Sequence, residues 1–105
     1  MALNQDYYQL WFESFKIDST AGHRDPIQLH LVKDQDLPIE ILDECKNRSI
    51  DPFSLLTECS KKLFYDYPVG TKFLLKSKLT NREEGGLFFY TYYGWSPLKI
   101  IKAKN

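Results

Sequence analysis

Histidine, cysteine and clustered carboxylates are the side chains with which so short a chain would do metal or covalent chemistry, and this sequence is sparing with them. The histidines are His23 and His30, and the cysteines are Cys45 and Cys59. A zinc site needs several such ligands at short, recognisable spacings. Here the cysteines stand 14 positions apart, on what read as two separate helices. A cysteine nucleophile needs a base brought against it. Both cysteines fall instead on apolar helical stripes, where a thiol is inert packing. Asp34, Asp36, Glu40, Asp43 and Glu44 crowd one stretch. That stretch lacks the ordered ligands, glycine and terminal glutamate of a calcium loop, and reads as a solvated helix face. No Gly-x-Ser-x-Gly elbow is present, and Gly85-Gly86 is a turn between strands rather than a phosphate loop feeding a helix. The expectation is a protein without metal or cofactor. A small enzyme, with its pocket between helices and sheet, is one alternative.

A different chemistry is written in the last third of the chain. Lys72, Lys76 and Lys78 alternate along one predicted strand, and Arg82 lies in the turn that follows it. The next strand carries Phe88, Tyr90 and Tyr92 on one face and Phe89 and Tyr93 on the other, with Trp95 just beyond. Ammonium groups bind phosphates and exposed rings stack on unpaired bases, so surfaces that combine the two hold single-stranded nucleic acid. Lys72, Lys76, Lys78, Arg82, Tyr90, Tyr92 and Trp95 are therefore the candidate site, for nucleic acid or for a protein partner. The register of the hairpin decides its meaning, because a slip of one residue moves every side chain to the opposite face. One register puts the lysines with Tyr90 and Tyr92. The other puts them with Phe89 and Tyr93 and sends Tyr90 into the core with Leu75. The turn sequence leaves both open. In the bland reading the rings are core and the lysines a solvated face that blunts a sheet edge.

The elements that must position these groups follow from periodicity. Residues 7–17 admit a helix, with Tyr7, Tyr8, Trp11, Phe12 and Phe15 on one stripe, but the aromatic content and the alternation of Tyr8, Leu10 and Phe12 favour a strand. Residues 18–26 are a loop containing Gly22 and Asp25-Pro26. Ile27, Leu29 and Leu31 alternate as a second strand. Pro38 opens a helix with Ile39, Leu42 and Cys45 on its apolar stripe. Asp51-Pro52 opens another, with Leu56, Cys59 and Leu63 at helical spacing, widened by Phe53, Leu55 and Phe64, and stopped by Pro68 and Gly70. Three strands are expected over 71–80, 87–93 and 98–103. The whole is an α+β chain of order ββααβββ, read as a single small domain over 1–105, in which an antiparallel sheet is packed by a helix pair. Tyr67-Pro68-Val69-Gly70-Thr71-Lys72-Phe73 resembles the lead-in to the first strand of an SH3-like barrel. That likeness implies a partial barrel in the C-terminal half and assigns no activity.

Composition places the chain among ordinary globular proteins, with 43% hydrophobic and 27% charged residues. An aromatic share of 15% argues against disorder and suits an interface. The net charge of zero hides a split. Residues 1–60 hold 5 Lys/Arg against 11 Asp/Glu, and residues 61–105 hold 9 against 3. Such asymmetry suits a polyanion partner, contact between the halves, or self-association. No apolar run approaches a membrane span and no leader pattern opens the chain, so a cytoplasmic location with reduced thiols is expected. The expected role is a non-enzymatic binding or interaction module that self-associates, with a nucleic-acid-binding module as the rival reading.

Overall fold

The computed structural model describes residues 7–17, 26–81 and 86–104. Its framework is three strands that alternate as their sequences require. β1 (Tyr8–Lys16) turns Leu10, Phe12 and Ser14 inward. It pairs antiparallel with β2 (Ile27–Leu31), placing Phe12 opposite Leu31 and Ser14 opposite Leu29. The segment that admits a helix by spacing is thus a strand. The reason is tertiary: as a strand it lies between β2 and β4 (Lys72–Asn81), with Leu10 opposite Leu75 and Phe12 opposite Phe73. An alternating strand meets such partners on both edges, while a helix would leave both sheet edges unpaired. Where β2 departs, Gln35 takes its place. Its Oε1 accepts from the Trp11 N–H at 3.0 Å, and its Nε2 donates to the Trp11 and Val32 carbonyls at 2.7 and 2.8 Å.

α1 (Ile39–Asn47) follows Pro38 as expected, but the stripe it buries in the core is Ile41 and Cys45, while Ile39 and Leu42 of the expected stripe stay 61% and 40% exposed. Its acidic residues Glu40, Asp43 and Glu44 are not among the buried ones. The next segment departs from the sequence expectation. Residues 52–64 do not form one helix. Pro52–Ser54 makes a 3₁₀ turn, Thr57–Glu58 makes the two-residue strand β3, and only Lys62–Tyr65 is helical, as α2. Asp51-Pro52 does cap as predicted: Asp51 Oδ1 accepts from the Phe53 N–H at 3.0 Å. That cap serves a 3₁₀ turn as well as an α-helix. Beyond it, the backbone finds a better partner than its own next turn. The Phe89 and Thr91 N–H groups donate to the carbonyls of Leu56 and Glu58 at 3.0 and 2.8 Å, so β3 covers an edge that β5 (Leu87–Tyr90) would otherwise leave open. Cys59 accordingly lies outside any helix.

The strands run β2-β1-β4-β5-β3 in space, with β6 (Lys99–Ile101) paired to β4 off this path. β2 also approaches β3 and the 3₁₀ turn, so the sheet curls into a nearly closed, barrel-like form. The architecture is thus a mostly stranded sheet with two helices, antiparallel as expected except where β3 runs parallel to β5. β4 is its hub. One edge pairs with β1 over Lys72–Ser77, and the other is divided between β6 at Lys72–Leu74 and β5 at Lys78–Asn81. Inside lie Phe12, Leu29, Leu31, Phe73, Leu75, Leu79 and Phe89 with Leu63 and Phe64 from α2. Phe12 and Phe89 meet edge to face at 5.7 Å. Buried hydroxyls are mostly matched. The Ser77 and Thr91 hydroxyls bond each other, while Thr71 Oγ1 donates to the Pro68 carbonyl at 2.7 Å and accepts from the Ala103 N–H at 3.2 Å. Thr57 Oγ1 is buried without a partner.

Candidate functional site

The register left open by the turn sequence is decided by β5, which pairs Leu79 with Phe89 and Lys78 with Tyr90. Leu79 and Phe89 belong to the core. Lys78 and Tyr90 therefore share the outer face with Lys72, Lys76 and Phe88. This is the register that joins lysines to rings, rather than the one that buries Tyr90 beside Leu75.

The remaining rings come from an interruption on the same edge of β4. Lys78 pairs with Tyr90, and Leu74 pairs with Lys99. Between these points β4 has three residues and the opposite chain has eight, 91–98. The surplus must leave the sheet plane, as at a large bulge. The excursion is pinned at both ends, by the Thr91–Ser77 hydroxyl pair and by the Leu98 N–H donating to the Leu74 carbonyl at 2.8 Å. It is turned by the Trp95 N–H, which donates to the Tyr92 carbonyl at 3.1 Å. Gly94 lets the Tyr92 ring pack against that turn, because a Cβ there would push the end of the ring aside.

The excursion folds Trp95 onto the outer face. Its ring meets Tyr7 at 5.0 Å and Tyr92 at 5.5 Å, both edge to face, and Tyr92 lies 4.9 Å from Tyr93. The Lys76 ammonium stands 5.8 Å above the Trp95 ring. Lys78 stands 5.2 Å from Tyr7 and 5.8 Å from Tyr90. These are cation–π distances. They fix where two flexible lysines carry their charge, and neither ammonium is tied to a carboxylate among the described residues. Trp95, Tyr92 and Tyr93 stay 42%, 41% and 71% exposed.

Of the candidate residues, Lys76, Lys78, Tyr90, Tyr92 and Trp95 are thus brought together. Lys72 shares the face but sits further along β4, opposite Glu13 on β1 and Ile101 on β6. Arg82 lies outside the described residues, as does His23. Tyr7 is the member the sequence reading missed. It precedes a strand whose inward residues are Tyr8, Leu10 and Phe12, so alternation already put it on the outer face; only the β1–β4 pairing shows that it lies beside Lys78.

Elsewhere the groups are quiet. His30 packs edge-on against Phe15 at 4.5 Å. Burial raises the Cys45 thiol above its ordinary value and pushes Cys59 up to about 12. Among the described residues, no three His, Cys, Asp or Glu side chains are placed to hold a metal ion. None of the described helices is long and apolar enough to cross a membrane. Comparison with known family models, curated proteins and solved structures finds no match.

Proposed function

We propose that the protein is a non-enzymatic binding module whose working surface is this outer face, and that its ligand is single-stranded nucleic acid. The observation behind this reading is the Lys78–Tyr90 pairing, which sets the lysine ammonium groups and the tyrosine rings on one side of the sheet. Phosphates would meet Lys76, Lys78, Lys72 and Lys99, and bases would stack on Trp95, Tyr92 and Tyr90. Stacking of this kind is tolerant of sequence and contributes about 1–3 kcal/mol per base. The acidic helix α1 packs on the core side of the sheet, away from this surface, so a polyanion would approach the basic face without meeting it. The likeness of residues 67–73 to the lead-in of SH3-like barrels belongs to the same reading, with β4 as the long strand of a curled sheet. Two free thiols suit a reducing compartment, and we take the cytoplasm as its place.

The test is binding of a fluorescent single-stranded oligonucleotide, scanned from low to physiological salt. Affinity should fall with salt, with a logarithmic slope near −0.7 for each phosphate neutralised. If no oligonucleotide binds at low salt, the reading fails.

A second reading, self-association, has its own observation. Along 98–101 the side chains of Leu98, Ile100 and Ile101 are 44%, 36% and 55% exposed, at a strand that among the described residues pairs on one edge, to β4. Two copies pairing antiparallel with Ile100 on the twofold axis would set Lys99 opposite Ile101, so no like charges would face each other across the seam. Light scattering would show a dimer that Ile101→Lys converts to a monomer. A monomeric parent protein would refute it.

A further inference from the structure

Trp95 borders two sites. Besides meeting Lys76, Tyr7 and Tyr92, it lines a cleft of about 360 Å³ between α2 and the excursion, together with Tyr93, Pro97, Lys62 and Asp66. That volume is at the small end for a ligand site, enough for one nucleoside and not for a large cofactor. The lining suits a planar, polar guest: two aromatic side chains, Tyr93 and Trp95, with one carboxylate and one ammonium. Lys62 opens α2 and Asp66 caps its C-terminal end one turn on, where the Asp66 N–H donates to the Lys62 carbonyl at 2.9 Å. No ion pair joins Asp66 to a described residue, so its carboxylate is available as an acceptor.

We propose that this cleft is a base-recognition subsite that selects guanine from a strand lying on the outer face. The inference rests on the strand-binding reading above and adds sequence preference to it. The reasoning is a donor–acceptor match. Protein readers of single strands stack an unpaired base on aromatic rings and hydrogen-bond its Watson–Crick edge. A carboxylate only accepts. Guanine alone presents two adjacent donors on that edge, N1–H and N2–H, which the two Asp66 oxygens can accept together. Adenine and cytosine each set a ring-nitrogen acceptor beside one amino donor. Uracil and thymine flank a single N–H with two carbonyl oxygens, which a carboxylate repels. Lys62, at the same mouth, would meet the sugar-phosphate of that nucleotide. Because Trp95 belongs to both surfaces, the base in the cleft and the strand on the sheet would be consecutive parts of one path.

The chain has two tryptophans, Trp11 and Trp95, so a Trp11→Phe background leaves Trp95 as the sole reporter. In that background, two titrations are run: oligo-dT against the same oligomer with one dG, and free guanosine, adenosine, cytidine and uridine monophosphates. We expect the single dG to tighten binding roughly tenfold, as one well-formed bidentate pair does. Guanosine monophosphate should quench Trp95 more than the other three, and Asp66→Asn should abolish both preferences. If oligo-dT binds with a clear salt slope but the dG adds nothing, the guanine subsite is overturned and the outer-face reading stands. If guanosine monophosphate quenches Trp95 in an Asp66-dependent way while no oligonucleotide binds, the cleft selects guanine but the outer-face reading falls. If neither ligand acts, both are overturned.

Discussion

The two faces of β4 come from one stretch of ten residues and obey different rules. On the inner face Phe73, Leu75, Ser77 and Leu79 are at most 2% exposed, and each meets a partner of fitting shape or polarity. On the outer face Lys72, Leu74, Lys76, Lys78 and Thr80 are exposed or half-buried, and Lys76 and Lys78 make ring contacts rather than core packing. Alternation forces this division, since adjacent side chains must point oppositely. The inner face is therefore answerable to stability and the outer face to the binding proposed for it. The two kinds of substitution should separate cleanly.

The largest effect is expected from the core. Phe89→Ala removes a fully buried ring that packs edge to face on Phe12, and should cost about 3–5 kcal/mol in urea denaturation. That approaches the whole stability of a small domain. A cost under about 1 kcal/mol would mean that β5 is not seated as described.

Next come two buried threonines of opposite sign. Thr91→Val strands the Ser77 hydroxyl, fully buried, and should destabilise by about 1–3 kcal/mol. Thr57→Val keeps the β-branched shape and removes a hydroxyl that has no partner, so it should leave stability unchanged or raise it by up to about 1 kcal/mol. Equal losses for the two variants would break the distinction between matched and unmatched inner-face hydroxyls.

On the outer face, Lys78→Gln should shift stability by no more than about 0.5 kcal/mol. It should weaken oligonucleotide binding for every sequence alike and reduce the salt slope by about 0.7. A large loss of stability with an unchanged slope would reverse the roles assigned to the two faces.

The smallest effect is one of pH. Because burial holds the Cys59 thiol at about 12, against an ordinary 9.0, it stays protonated in the folded protein when the unfolded chain would ionise. Its contribution is thus constant below 9.0 and turns unfavourable as pH rises from there toward about 12. Cys59→Ala should remove that part of the alkaline loss. Native protein should also react with iodoacetamide at pH 8 far more slowly than the denatured chain, since the thiolate is the nucleophile.

How much of this was legible depended on whether a segment's partners were implied by its own pattern. β2 and β4 were, because Ile27-Leu29-Leu31 and Phe73-Leu75-Leu79 carry clear periods; for α1 the Pro38 start was legible but its buried face was not, since Ile41 rather than Ile39 and Leu42 joins Cys45 in the core. The 52–64 segment was not. Leu56, Cys59 and Leu63 fit a helical stripe, yet two backbone hydrogen bonds from Phe89 and Thr91, thirty-odd residues on, outweighed it. The site was half legible. Lysines, tyrosines and Trp95 were visible as types, but Tyr7 joined them only through the β1–β4 pairing, and the excursion of 91–98 has no signal beyond Gly94 and Pro97.

The sequence by itself determined which residues of each strand must part company, the charge split between the halves, and the scarcity of groups able to do covalent or metal chemistry. These are properties of composition and of a period of two, which no partner can alter. Only the tertiary structure decided which face the lysines and tyrosines share, because a register is a relation between two strands and neither sequence contains it. It likewise decided that residues 57–58 extend rather than coil, because an open edge on β5 supplied the hydrogen bonds that a helix would have had to supply from within.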